Sequence, residues 1–253
     1  MPEGLKVGVR IAEPSGEYSE LSGNMIAAGH LAGRARYGEK WEGKCVPSEE
    51  KLRIYRPPET SGGLMTIDAV PFGWSDLQAY RQLQPVGAPS EDDPMSYWLN
   101  AVALTANALI QTEDGKLVFH RKKGGAKPGS IHAFGGYVKP EDGGIEAAIA
   151  RELMEGSETG LGKGEFEVGP LFGTPEGKPS ILWDFGTGAV YGVVRARMAA
   201  AQMQERMAAI PADESLSKGL YVVDLADVRK LEGLDDLHPQ TRRVLPTIEA
   251  MYS

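Results

Sequence analysis

The stretch Gly135-Gly136-Tyr137-Val138-Lys139-Pro140-Glu141-Asp142 leads through Gly143-Gly144-Ile145-Glu146 into Ala147-Ala148-Ile149-Ala150-Arg151-Glu152-Leu153-Met154-Glu155-Gly156-Ser157-Glu158-Thr159-Gly160-Leu161. Its paired glycines let the backbone turn sharply and bring an amide or carbonyl close to a metal or phosphate. From about Gly144 to Glu155, Ile145, Ala148, Ile149 and Leu153 recur at the three-and-four spacing of one buried helical face. Glu152 and Glu155 stand three residues apart on that helix, so their carboxylates share a face, and hard oxygen ligands so clustered suit Mg²⁺ or Mn²⁺. Arg151 is expected to hold the first carboxylate in place by a charge-assisted pair. Alone, an Arg-Glu-x-x-Glu run is ordinarily a solvated helix face with local ion pairs. What lifts this one above that reading is order: strand, Gly-Gly, acidic loop, amphipathic helix, then Thr-Gly-Leu into another loop.

Working outward, Ala101 to Gln111 reads as a buried strand, Glu113-Asp114-Gly115 as a turn, and Lys116 to His120 as the returning strand of a hairpin. Its basic end, Arg121, Lys122 and Lys123, offers Arg121 and Lys122 as candidate substrate-binding residues, against the plainer reading of a solvated strand end. A short strand at Ile131 to Phe134 leads into the glycines. Further strands are expected at Phe166 to Phe172, Ile181 to Phe185, Ala189 to Ala196 and Leu220 to Leu225, with a turn at Gly186-Thr187-Gly188. Helices are expected at Met198 to Ala208 and Gln240 to Met251. Trp183 and Tyr191 on the late hairpin read as core more readily than as a stacking surface for a base. His120 and His132 lack metal-ligand spacing and read as structural; His238, before Pro239, reads as a helix cap.

The turn formers and acidic residues from Gly87 to Met95 divide residues 1–95 from 96–253. In the N-terminal part, Leu5 to Ile11 and Leu52 to Tyr55 pattern as strands, and Asn24 to Arg36 and Ser75 to Leu83 as helices. The fold class is α+β, an α/β/α sandwich with helices packed on a mixed sheet.

The quoted stretch resembles the Nudix box, whose pattern is a Gly, five residues, a Glu, seven residues, then Arg-Glu-aliphatic-x-Glu-Glu-x-Gly-aliphatic. Gly136 matches the opening Gly, Asp142 stands at the first Glu, Arg151 to Glu155 match the core, and Glu158-Thr159-Gly160-Leu161 matches the close. The sequence departs from the pattern in three ways. Asp142 is one methylene shorter than Glu, one extra residue precedes Arg151, and Gly156-Ser157 interrupts the Glu-Glu pair. On an unbroken helix, at about 100° per residue, Glu158 would lie roughly 240° from Glu152 and face away. It rejoins the cluster only if the helix ends or bulges at Gly156-Ser157.

The resemblance implies a Nudix-type mixed sheet with an N-terminal extension and a metal site at Gly136, Glu152, Glu155 and Glu158. It also implies catalytic roles for Glu152, Glu155, Glu158 and Arg151, with Mg²⁺ or Mn²⁺ as cofactor. The implied reaction is hydrolysis of the diphosphate linkage of a small nucleoside-diphosphate derivative, a nucleotide sugar or small dinucleotide. Glu158 is the first choice as general base and Asp184 the second. The alternative is a non-catalytic nucleotide-binding or regulatory module whose metal site the insertion has dismantled. By analogy with members acting on nucleotide sugars, residues 1–95 are expected to shape the substrate pocket or a homodimer interface.

Composition narrows the partners. With 42% hydrophobic and 25% charged residues in 253, the chain is that of an ordinary globular protein. A net charge of -8 opposes broad electrostatic binding of nucleic acid. Apolar runs fall short of the roughly 20 residues a membrane-spanning helix needs, and the N-terminus lacks a signal-peptide layout, so no membrane partner and a cytoplasmic location are expected. The single cysteine, Cys45, has no internal disulfide partner and no sequence neighbour that would activate it.

Overall fold

The computed structural model describes residues 6–13, 16–45, 50–83, 89–90, 92–93, 96–97, 102–124, 127–155, 159–172, 182–184, 187–211 and 217–252. Among the described residues twelve strands occur in chain order: β1 (Lys6–Ile11), β2 (Glu50–Ile54), β3 (Glu59–Ser61), β4 (Leu64–Gly73), β5 (Val102–Gln111), β6 (Lys116–Lys122), β7 (Ile131–His132), β8 (Phe134–Tyr137), β9 (Phe166–Phe172), β10 (Leu182–Asp184), β11 (Thr187–Ala196) and β12 (Ser217–Asp224). The helices are α1 (Gly16–Tyr37), α2 (Lys40–Lys44), α3 (Trp74–Leu83), α4 (Ile145–Glu155), α5 (Ala200–Ala209) and α6 (Pro239–Tyr252). The sheet is mixed: its main path runs β1-β4-β2-β5-β11-β10, with β1–β4 and β5–β11 parallel and the other pairs antiparallel. Helices cover it, giving the α+β architecture the sequence implied.

β5 organises the sheet. Nine successive residues of it are buried, as befits a strand covered on both faces. One face turns Val102, Leu104, Ala106, Ala108 and Ile110 toward the cluster that holds Ile145, Ala148, Ile149 and Leu153 of α4. The other turns Ala103 toward α3 and Leu109 toward α6. Along one edge β5 pairs in turn with β2, β8 and β6, so the strand that carries Gly135 and Gly136 lies between N-terminal and C-terminal elements.

The N-terminal strands belong to this same sheet. Leu52, Ile54, Met65 and Ile67 share the core cluster of α4, and Val7 and Val9 pack against it. The Leu52 N–H donates to the Val138 carbonyl at 2.8 Å, two residues past Gly136.

Several expected boundaries shift. α1 begins at Gly16, eight residues before the expected Asn24, and β4 fills a stretch for which no strand was expected. Pro71 and the buried Asp68 mask the apolar signal of β4; Arg10 and Arg56 partner the Asp68 carboxylate. Thr187 and Gly188, expected in a turn, are already paired in β11 with Asp184 and Trp183. The strand expected at Ile131 to Phe134 divides at Ala133 into β7 and β8. Among the described residues no helix is long and apolar enough to cross a membrane.

Candidate functional site

α4 is built of good helix formers, IEAAIARELME, and buries Ile145, Ala148, Ile149 and Leu153. Glu152 follows Ile145 by seven residues, which at about 100° per residue returns it to within roughly 20° of that buried position. A carboxylate there is directed at the sheet rather than at open solvent, and the residue opposite must give it room. That residue is Gly136. A Cβ on Gly136 would stand 2.4 Å from the Cδ and both carboxylate oxygens of Glu152. The preceding Gly135 has φ near +145°, and a Cβ there would stand 2.3 Å from the Ala106 carbonyl oxygen. The two glycines thus answer different constraints: Gly135 lets β8 lie against β5, and Gly136 lets Glu152 lie against β8.

Arg151 fixes this carboxylate from the side. Its Nη1 donates to Glu152 Oε1 at 2.7 Å, and its Nε and Nη2 grip Asp142 at 2.6 and 3.0 Å. Nη2 also donates to the Tyr137 carbonyl at 2.8 Å, so one guanidinium ties the glycine strand, the loop and the helix together. Asp142 is 2% exposed and Arg151 14%, so the pair is shielded from water, while Glu152 keeps 24% of its side chain accessible.

The structure accommodates two of the departures from the Nudix pattern. Pro140–Asp142 forms a 3₁₀ turn in which Asp142 Oδ2 accepts the Lys139 N–H at 2.7 Å, and Gly143, at φ 72°, leads the chain toward α4. Within this turn the shorter Asp142 reaches Arg151 despite the extra residue between them.

The third departure, Gly156-Ser157, lies outside the described residues, between Glu155 and Thr159. Thr159 is fully buried; its Oγ1 donates to the Leu153 carbonyl at 3.0 Å and accepts the Leu161 N–H at 3.0 Å. On a continuous helix residue 159 would stand about 9 Å beyond Leu153, out of hydrogen-bond reach. Thr159 therefore lies off the continued axis of α4, whose described residues end at Glu155. Glu155 closes the described helix, its side chain and the whole of Glu158 lying outside the described residues, as does the side chain of Asp184.

Gly136, Glu152 and Arg151 are thus brought together, and Asp142 emerges as the main partner of Arg151, where the sequence had suggested Glu152. Among the described residues no group of three or more His, Cys, Asp or Glu side chains forms a metal-binding cluster. The Glu152 carboxylate, held by a guanidinium against a glycine strand with part of its surface open, is a hard oxygen donor of the kind a divalent cation takes.

Of the two candidate substrate-binding residues, Arg121 pairs with Asp236 and donates to the Gly129 carbonyl at 3.2 Å, its guanidinium 5.5 Å from the Tyr221 ring centre. Lys122 lies close to a histidine group. His132 touches His238 with ring centres 4.1 Å apart and His120 at 6.1 Å. Burial and Lys122 depress all three, and the His132 ring lowers His120 and His238 further: His120 falls to about 3, His132 to about 4 and His238 to about 3. His238 Nδ1 accepts the Gln240 N–H at 3.3 Å at the start of α6, the capping place its position before Pro239 suggested. Tyr191 is buried core, and the side chain of Trp183 lies outside the described residues.

No family model and no curated protein matches the sequence. Solved structures do. MutT protein from Methanosarcina mazei is 19% identical with a TM-score of 0.40, the match covering 60% of this chain and 96% of that one. The Ap4A hydrolase of C. elegans is 18% identical at 0.36, covering 60% and 99%. The Nudix domain of Shewanella oneidensis NrtR, solved with ADP ribose, is 17% identical at 0.39, covering 60% and 88%. These likenesses are partial, each covering 60% of this chain, so the chemistry must be read from the residues around Gly136 and Glu152.

Proposed function

We propose that this chain is a metal-dependent hydrolase of the Nudix kind, cleaving the diphosphate linkage of a small nucleoside-diphosphate derivative such as a nucleotide sugar or dinucleotide. The observation that carries the reading is the Glu152 carboxylate turned in against Gly136 and held by Arg151. A merely solvated acidic helix face has no need of a glycine opposite it or of a shielded Arg151–Asp142 pair behind it.

Gly136, Glu152, Glu155 and Glu158 would hold Mg²⁺ or Mn²⁺, which when bound neutralises phosphate charge and acidifies coordinated water. In the reaction a water oxygen bonds to phosphorus and the P–O bond to the bridging oxygen breaks. The products are a nucleoside monophosphate and a phosphorylated partner. Glu158 is our first choice to accept the water proton, with Asp184 the second. Arg151 touches no substrate in this scheme; it positions Glu152 and neutralises Asp142.

The test is hydrolysis of a panel of nucleotide sugars, dinucleotides and nucleoside triphosphates in Mg²⁺, in Mn²⁺ and in chelator. Turnover of diphosphate-linked substrates that chelator abolishes is the expected result. Nucleotide bound with no turnover and no dependence on metal would replace this reading with the non-catalytic module.

A further inference from the structure

The strand carrying Gly136 is held from its other side by the N-terminal region. Side chains alternate along a strand: Gly136 faces α4, and Tyr137 turns to the opposite face, where it packs with Phe72, Leu77 and Tyr80. There α3 presents Trp74 and Arg81. The Trp74 and Tyr137 rings meet edge to face at 5.7 Å, and Arg81 Nη2 donates to the Tyr137 hydroxyl at 3.2 Å. The Arg81 guanidinium also sits 5.8 Å from the Trp74 ring centre. Trp74 is in turn anchored by its Nε1–H, which donates to the Lys44 carbonyl at 3.2 Å.

Tyr137 is therefore gripped at both ends. Its hydroxyl belongs to α3, and its carbonyl accepts from the same Arg151 nitrogen that reaches Asp142. One residue further, Val138 is fixed by the Leu52 N–H on its carbonyl and by donating its own N–H to Leu104 at 3.0 Å. The separation between the Gly136 backbone and the Glu152 carboxylate depends on where β8 sits, and α3 and β2 set that position.

We propose that Arg81, acting through the Tyr137 hydroxyl, is a positioning residue for the metal site, and that the N-terminal region serves the site as its rear support. This rests on the metal-binding reading of Glu152. It gives residues 1–95 a part in the chemistry without requiring any of them to touch substrate.

Two readouts on the full-length protein test it, one of them independent of metal. Hydrogen exchange of the Arg151 Nε–H and of the Gly136 and Tyr137 amides reports the hold on β8; Mn²⁺ affinity by calorimetry reports the site. Partners that orient metal ligands typically change affinity about 10- to 100-fold when removed, and one step further out we expect about 3- to 10-fold. Arg81→Ala and Tyr137→Phe should each speed exchange and weaken Mn²⁺ by that amount, with unfolding midpoints near the parent's. The double variant should add little, because both changes remove one bond. Arg81→Lys, which still has a donor, should recover part of the loss. Unchanged exchange and unchanged affinity in both single variants would overturn the proposal. Faster exchange in a protein whose parent form binds no Mn²⁺ would uphold the support role and refute the metal reading instead.

Discussion

Gly136→Ala should perturb the site chemistry while leaving the fold nearly intact. The added methyl would stand 2.4 Å from three atoms of the Glu152 carboxylate, against the 3.4 Å at which ordinary contact begins. The carboxylate must retreat by about 1 Å. It can do so, because it is the free end of a flexible side chain, and φ at Gly136 is not in the left-handed region. Replacing glycine in a strand also recovers about 0.5–1 kcal/mol of backbone entropy, so the expected change in stability is within about 1 kcal/mol of zero. The chemistry has no such tolerance. Catalytic constellations need placement to about 0.5 Å, and an error of about 1 Å costs on the order of 100-fold. The assay pairs urea unfolding with Mn²⁺ titration and, once a substrate is in hand, kcat/KM. The expected outcome is a nearly unchanged midpoint with Mn²⁺ affinity or turnover down by one to two orders of magnitude. Full retention of Mn²⁺ affinity, or a loss of more than about 3 kcal/mol of stability, would refute the reasoning. Gly135→Ala is the control: its methyl would meet the Ala106 carbonyl at 2.3 Å, at φ near +145°, and backbone cannot retreat as a side chain can.

Other expectations follow from the same structure. Arg151→Met leaves Asp142, 2% exposed, without its cation, and should cost about 3–5 kcal/mol in chemical denaturation. His120, His132 and His238 have depressed folded values, so the stability they contribute is complete above their ordinary 6.5 and is lost as pH falls toward 3 to 4. The two nearly buried members, His120 and His132, should each cost on the order of 3 kcal/mol between pH 6.5 and 4; His120→Asn should flatten a plot of urea midpoint against pH over that window. A fragment of residues 96–253 loses Leu52, Ile54, Met65 and Ile67 from the core around α4, at about 1.5–3 kcal/mol each. Against a total stability of about 5–15 kcal/mol it should show no cooperative thermal transition, which circular dichroism would check.

The parts of the site legible in the sequence were those encoded by local spacing. The three-and-four spacing of Ile145, Ala148, Ile149 and Leu153 marked α4 to within a residue, whereas the paired glycines, expected to turn the chain sharply, lie within β8. What lay across the chain was hidden. That Arg151 spends two of its nitrogens on Asp142 depends on the 3₁₀ turn at Pro140–Asp142, which has no periodic signature. Thr159 looked like part of a matching tail, yet its hydroxyl caps the Leu153 carbonyl. The role of α3 could not be read at all, because the bond from Arg81 to Tyr137 joins residues 56 apart. β4 escaped notice for a physical reason: a charged Asp68 in a strand interior reads as solvent-facing until Arg10 and Arg56 are seen beside it.

Mn²⁺ binding to the intact protein and to Glu152→Gln, followed by the loss of the free-ion paramagnetic resonance signal, tests the central claim most directly. The substitution keeps the side chain's size and removes its charge. The account predicts saturable binding by the parent, weakened at least about tenfold in Glu152→Gln with the fold retained. Equal binding by the two proteins, or none by the parent, would contradict it.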